Sequence, residues 1–134
     1  MIKCTYGDLD KLRDAPGRMG PMLKLMTATE PSIVDKFRIA RLTEAIDAEF
    51  RIYGRSLEEL GKKYGEPVVV EGKTSFKITP DKIAEFNAEK GALDAVECEL
   101  PANPLPFSAY EKVSLTALDL SLLQKFCTPP PNDL

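Results

Sequence analysis

The sequence predicts an α+β fold: a long amphipathic helix in the N-terminal half, short helices packed on a small antiparallel sheet (a hairpin plus one or two strands), and a C-terminal helix. Three observations carry this. From Ser32 to Gly65 the chain is free of proline, and Ile39, Leu42, Ile46, Phe50, Tyr53, Leu57, Leu60 and Tyr64 follow at steps of three or four, the spacing of one stripe on a helix. Beyond Pro67 the period changes, and β-branched residues flank Glu71-Gly72, a hairpin pattern. The remaining helical and strand patterns are partly segregated along the chain rather than alternating as βαβ units.

Each element has its own local reason. Ile2, Cys4 and Tyr6 alternate with Lys3 and Thr5, which predicts a short strand. Asp8 is the expected cap of a short helix, LDKLRD, stopped by Ala15-Pro16-Gly17. Met22 to Ala28 reads as a helical turn or a strand, with the helix favoured because Met22, Leu23 and Met26 share a face. For the long helix, Ser32 is the expected N-cap with Asp35 at the positive end of the dipole, and Lys62, Lys63 and Gly65 supply the cationic last turn and the terminating glycine. Gly54 and Gly61 inside it mark kinks or places where another helix comes close. Opposite-charge pairs at i,i+4 (Asp47/Arg51, Arg55/Glu59, Glu58/Lys62, Glu59/Lys63) add a few tenths of a kcal/mol each.

Val68 to Val70 and Thr74 to Ile78 then form the expected hairpin. Thr79-Pro80-Asp81, a capping hydroxyl followed by a first-turn proline and an acid, starts a second helix carrying Ile83, Phe86 and Leu93 and ending near Asp94. Val96, Cys98 and Leu100 alternate with Glu97 and Glu99 as a half-buried strand. Tyr110 to Leu115 reads as a last strand, and Thr116 with Asp119 as a capping box for a helix bearing Leu118, Leu122, Leu123 and Phe126. Residues 1–128 are expected to make one domain, and 129–134 a mobile proline-rich tail.

The totals exclude more than they assign. A chain of 134 residues, 43% hydrophobic and 29% charged, suits a globular domain. A net charge of -3 disfavours nucleic acid as the partner. No apolar run spans a bilayer and the N-terminus lacks the pattern of a signal peptide, so the expectation is a cytoplasmic protein with no membrane partner. The count of histidines is 0, which removes the commonest general base and metal ligand. The 3 cysteines, Cys4, Cys98 and Cys127, lie far apart and read as reduced, partly buried thiols. No catalytic group, metal site or cofactor is assigned. Gly17-Arg18-Met19-Gly20 lacks the Lys-Ser/Thr of a phosphate loop and reads as a turn.

Two sets of residues are singled out. Arg38, Arg41, Arg51 and Arg55 are the candidate ligand-binding row, because guanidinium groups on a helical face grip phosphates or carboxylates bidentately. Leu42, Ile46, Phe50, Tyr53, Leu57 and Leu60 are the core or oligomer seam: a rod about 50 Å long with one apolar edge needs cover from the chain or from a second copy. Tyr53, Tyr64, Phe86 and Phe107 are at core-like spacings.

Leu60, Lys63, Tyr64 and Gly65, then a short insert, then Phe86, Asn87, Glu89, Leu93, Val96 and Leu100, with a C-terminal helix after Leu115-Thr116, resemble a family of small uncharacterised proteins of tailed bacteriophages and prophages. The likeness spans about two-thirds of the chain and rests on packing and capping residues. It implies origin, a phage accessory protein in the bacterial cytoplasm, and carries over no catalytic residue. The functional expectation is a non-enzymatic protein that self-associates and binds a host or phage macromolecule. The alternatives are a nucleotide- or small-ligand-binding counter-defence factor using the arginines, and a nucleic-acid-binding accessory.

Overall fold

The computed structural model describes residues 1–14 and 17–130. The expected helix stop at Ala15-Pro16 and the tail from residue 131 onward lie outside them. In chain order the elements are β1 (Ile2–Thr5), α1 (Tyr6–Asp10), α2 (Pro21–Thr27), α3 (Ile33–Tyr64), β2 (Gly65–Val70), β3 (Lys73–Ile78), a 3-10 turn (Pro80–Lys82), α4 (Ile83–Asp94), β4 (Glu97–Leu100), α5 (Phe107–Tyr110) and α6 (Ala117–Leu122). The class is α+β. The strands divide into a pair of 2-stranded antiparallel sheets, β1 with β4 and β2 with β3.

Helix α3 is the spine, touching α1, α2, α4, α5, β2, β3 and β4. The Ser32 hydroxyl accepts from the Asp35 amide at 3.2 Å, as an N-cap should. Of the apolar stripe, Ile39, Leu42, Ile46 and Tyr53 are buried, and Phe50 and Leu57 pack against the same core. The other wall is the β1–β4 ladder, pairing Ile2 with Leu100 and Cys4 with Cys98. Leu9 from α1 and Leu105, Ala109, Leu123 and Phe126 from the C-terminal region fill the space between.

Gly61 has a specific reason to be glycine. A Cβ there would stand 2.7 Å from the Phe76 ring of β3, so the hairpin lies against the last turn of the helix. The element that comes close at this glycine is a strand, where another helix was expected. At the hairpin tip, Glu71 (φ 51) and Gly72 (φ 77) both occupy the left-handed region, as a type I′ turn requires. The hydrogen bond from the Thr79 amide to the Tyr64 carbonyl sets the ladder's alternation. It places Pro67, paired with Phe76, at a position whose nitrogen faces outward, which blunts the free edge of β2.

Polar ties fasten the shorter elements. The Tyr53 hydroxyl donates to Asp94 at 2.6 Å, and Lys90 reaches the other oxygen of that carboxylate at 2.8 Å. Tyr6 stacks on Tyr53 with ring centroids 5.6 Å apart and donates to Glu49 at 2.7 Å. Helix α4 has no fully buried residue; Leu93 packs against the core, and the Asp94 tie and Lys63–Glu89 at 2.9 Å join the helix to α3. Lys63 therefore takes Glu89, a partner distant in sequence, rather than Glu59. Of the i,i+4 pairs named above, Glu58–Lys62 forms, at 3.5 Å.

Three local expectations need correction. The first short helix is Tyr6–Asp10, and its cap is Thr5, with Asp8 as the reciprocal partner in a capping box. A threonine hydroxyl directly before the helix reaches the third amide, whereas an aspartate inside the turn cannot. Thr79 makes no capping hydrogen bond, because a 3-10 turn separates it from α4. Tyr110 to Leu115 is not a strand. Pro106 precedes a helical turn ending at Tyr110, whose hydroxyl donates to the Thr128 carbonyl. The expected capping box of Thr116 and Asp119 is present at α6.

Candidate functional site

The predicted arginine row does not converge on one place. Arg38 and Arg41 line an open cleft of about 740 Å³ between the first turns of α3 and the segment after β4, together with Met1, Val34, Phe37 and Pro101 to Pro104. Arg51 and Arg55 are exposed further along the helix and do not reach that cleft; from Arg41 to Arg51 the rise is about 15 Å.

The cleft follows from the chain's local geometry. The Ile2–Leu100 register carries the chain start and Pro101 past the same end of the β1–β4 ladder. Leu105, buried, then returns the segment to the core by bridging to Cys127, with its amide donating to the Phe126 carbonyl at 2.9 Å. The prolines between leave a rigid rim with few amide donors. Opposite it, Asp35 is buried and accepts from Arg38 at 2.8 Å. Burial alone would push the Asp35 carboxyl up, but hydrogen bonds from Ser108, Arg38 and Ser32 outweigh it and hold it below its ordinary value. Arg38 is thus oriented by an ionised partner, while Arg41 has no ion-pair partner among the described residues.

The apolar part of the cleft is unusually open. Phe37 is 64% exposed, Val34 56% and Met1 66%, with Ile33, one turn before Phe37, at 80%. At about 100° per residue, Phe37 lies roughly 160° round the helix from Ile39, on the face that should be polar. Among the described residues the lining includes no carboxylate. Chemically, the cleft offers an aromatic ring, aliphatic surface and two guanidinium groups. It suits a ligand that is part apolar and part anionic.

Leu42, Ile46 and Tyr53 are buried within the single chain, Phe50 and Leu57 are partly buried against its core, and Leu60 is half-buried. The stripe offered as a seam is therefore largely covered by the chain itself. Tyr64 is buried, while Phe86 and Phe107 are half-buried. Phe37 and Ile33 escaped the sequence reading, although their place opposite the stripe was a usable signal.

Among the described residues no helix is long and apolar enough to cross a membrane, and no group of His, Cys, Asp and Glu side chains is arranged to hold a metal ion. No protein-family model, curated protein or solved structure matches this chain.

Proposed function

We propose that the protein works by binding, without catalysis, as a phage or prophage accessory protein in the bacterial cytoplasm, and that it holds an acidic, partly apolar segment of a partner protein in the cleft below the first turns of α3. One observation carries this reading: Met1, Val34 and Phe37 are exposed beside Arg38 and Arg41, with no carboxylate among the described residues of the lining. Aromatic and arginine side chains dominate the energetics of protein contacts, and an apolar patch rimmed by charge marks an interaction surface. The phage origin is supported by the motif resemblance alone.

Selection from a displayed random-peptide library tests it. Enriched peptides should combine Asp or Glu with apolar residues, bind more weakly as salt rises, and lose at least about tenfold in affinity to Phe37→Asp or Arg41→Glu, roughly 1.4 kcal/mol. No enrichment, or binding indifferent to both substitutions, contradicts it.

Self-association belongs to the same proposal with a different seam. Val69 and Val70, 68% and 59% exposed near the hairpin tip, supply apolar surface that the covered stripe cannot. Light scattering at micromolar concentration decides; a strict monomer removes this part and leaves partner binding standing.

A second reading, a nucleotide as ligand in a counter-defence role, is favoured by an exposed ring next to paired guanidinium groups, an arrangement that can stack a base and meet its phosphates. Calorimetry against a nucleotide panel, repeated on Arg41→Ala, separates it from the first. Nucleic acid fits less well, since Arg51 and Arg55 stand apart from the cleft and the net charge is -3.

A further inference from the structure

We propose that Cys4 and Cys98 form a redox modification site, closing an intramolecular disulfide that clasps β1 to β4 when the chain meets a small-molecule disulfide. The residues are direct register partners on antiparallel strands, and their sulfurs lie 3.5 Å apart. Residues opposite one another in such a ladder have Cα atoms about 4.5–5.5 Å apart, inside the range of about 4.4–6.8 Å over which a disulfide closes. Closure therefore needs side-chain rotation and no strand movement.

Access is one-sided. Cys98 is half-buried and Cys4 buried, and both border a shallow cleft with Thr5, Glu97 and Lys125. Cys98 is accordingly the sulfur that meets the oxidant first. Its thiolate attacks one sulfur of the small disulfide, forming a mixed disulfide and expelling one small thiolate. Cys4, having given its proton to solvent, then attacks the Cys98 sulfur and expels the second. The protein loses two protons and two electrons; the small disulfide gains two electrons and is released as two thiols after protonation. Burial holds both thiols protonated, with Cys4 pushed up to about 12, so exchange is slow at neutral pH and quickens as pH rises. Cys127 bridges to Leu105 elsewhere and takes no part.

The test uses the full chain equilibrated with oxidised glutathione at mildly alkaline pH, followed by thiol counting, intact mass and peptide mapping. Accessible thiols in denaturant should fall from 3 to the single thiol of Cys127, with the mass lower by two hydrogens and one Cys4–Cys98 cross-linked peptide. The melting temperature should rise by roughly 10 °C and return on adding dithiothreitol. Cys127→Ser should behave identically apart from its missing thiol. Persistence of every thiol, a stable glutathione adduct at Cys98, a link to Cys127 or a disulfide between chains would each overturn the proposal. Because the decisive readouts come from the unaltered chain, a variant that fails to fold does not shelter it.

Discussion

Removing the Asp119 carboxylate should unfold the C-terminal region first, and the structure sets the size of the effect. Asp119 is 1% exposed. Its Oδ2 accepts from Lys24 Nζ at 2.6 Å and from the Thr116 amide at 3.0 Å, so one side chain both closes the capping box of α6 and ties it to α2. Losing that reciprocal half of the box costs about 1 kcal/mol. Orphaning a fully buried partner costs about 3–5 kcal/mol. The Lys24 side chain, however, is 23% exposed and can turn toward water, which reduces that part to about 1–2 kcal/mol. Asp119→Ala should therefore cost about 2–3 kcal/mol, read by urea denaturation.

A double-mutant cycle with Lys24→Met isolates the pair and should give a coupling of about 1–2 kcal/mol. The pH dependence has a definite sign. Burial would push the Asp119 carboxyl up, but Lys24 and Thr116 outweigh it and the net shift is downward from 3.8. Such a group stabilises the fold above its unfolded pKa, and the contribution is lost as pH falls through the lower folded value. The wild type should weaken on acidification below about pH 4, and the Lys24→Met/Asp119→Ala chain should weaken less. A coupling near zero, or identical acid limbs, would refute this account of how α6 is held.

Other perturbations follow from the same geometry. Gly61→Ala should lower stability by about 1–2 kcal/mol despite alanine's helix propensity, because the new methyl meets the Phe76 ring. Gly54→Ala, with open space around it, should raise stability by up to about 1 kcal/mol; if Gly61→Ala also stabilises, the hairpin does not lie where described. At high pH, burial first, and then the hydrogen bonds to Glu49 and Asp94, hold the Tyr6 and Tyr53 phenols up to about 12. A raised pKa stabilises below the unfolded value and is lost as pH climbs through the folded one. Stability should therefore decline between about pH 10 and 12, and Tyr53→Phe should flatten that limb in alkaline denaturation curves.

What the sequence disclosed was local. Ser32, Glu71-Gly72 and the Thr116–Asp119 box act over three or four residues, so helix start, turn and cap could be read directly. The pairing of β1 with β4 joins ends of the chain 94 positions apart at Cys4 and Cys98, and nothing in either strand names its partner. Each cysteine could be assigned a reduced, partly buried role, but their meeting could not be foreseen. Tyr110 to Leu115 failed because alternation alone does not make a strand without a ladder to join. Arg38 and Arg41 were legible as exposed cations. Their cleft was not, since its other wall is a proline-rich segment whose position depends on the β1–β4 ladder and on Leu105.

The most direct test of the central claim, that the α3 cleft is the working surface, is amide chemical-shift mapping by NMR as the chain is titrated with a display-selected acidic peptide. The largest changes should fall at Val34, Phe37, Arg38, Arg41, Ala102 and Asn103, and should vanish in Arg41→Glu. Changes centred on Arg51 and Arg55 or on the hairpin, or a map unaltered by Arg41→Glu, would contradict it.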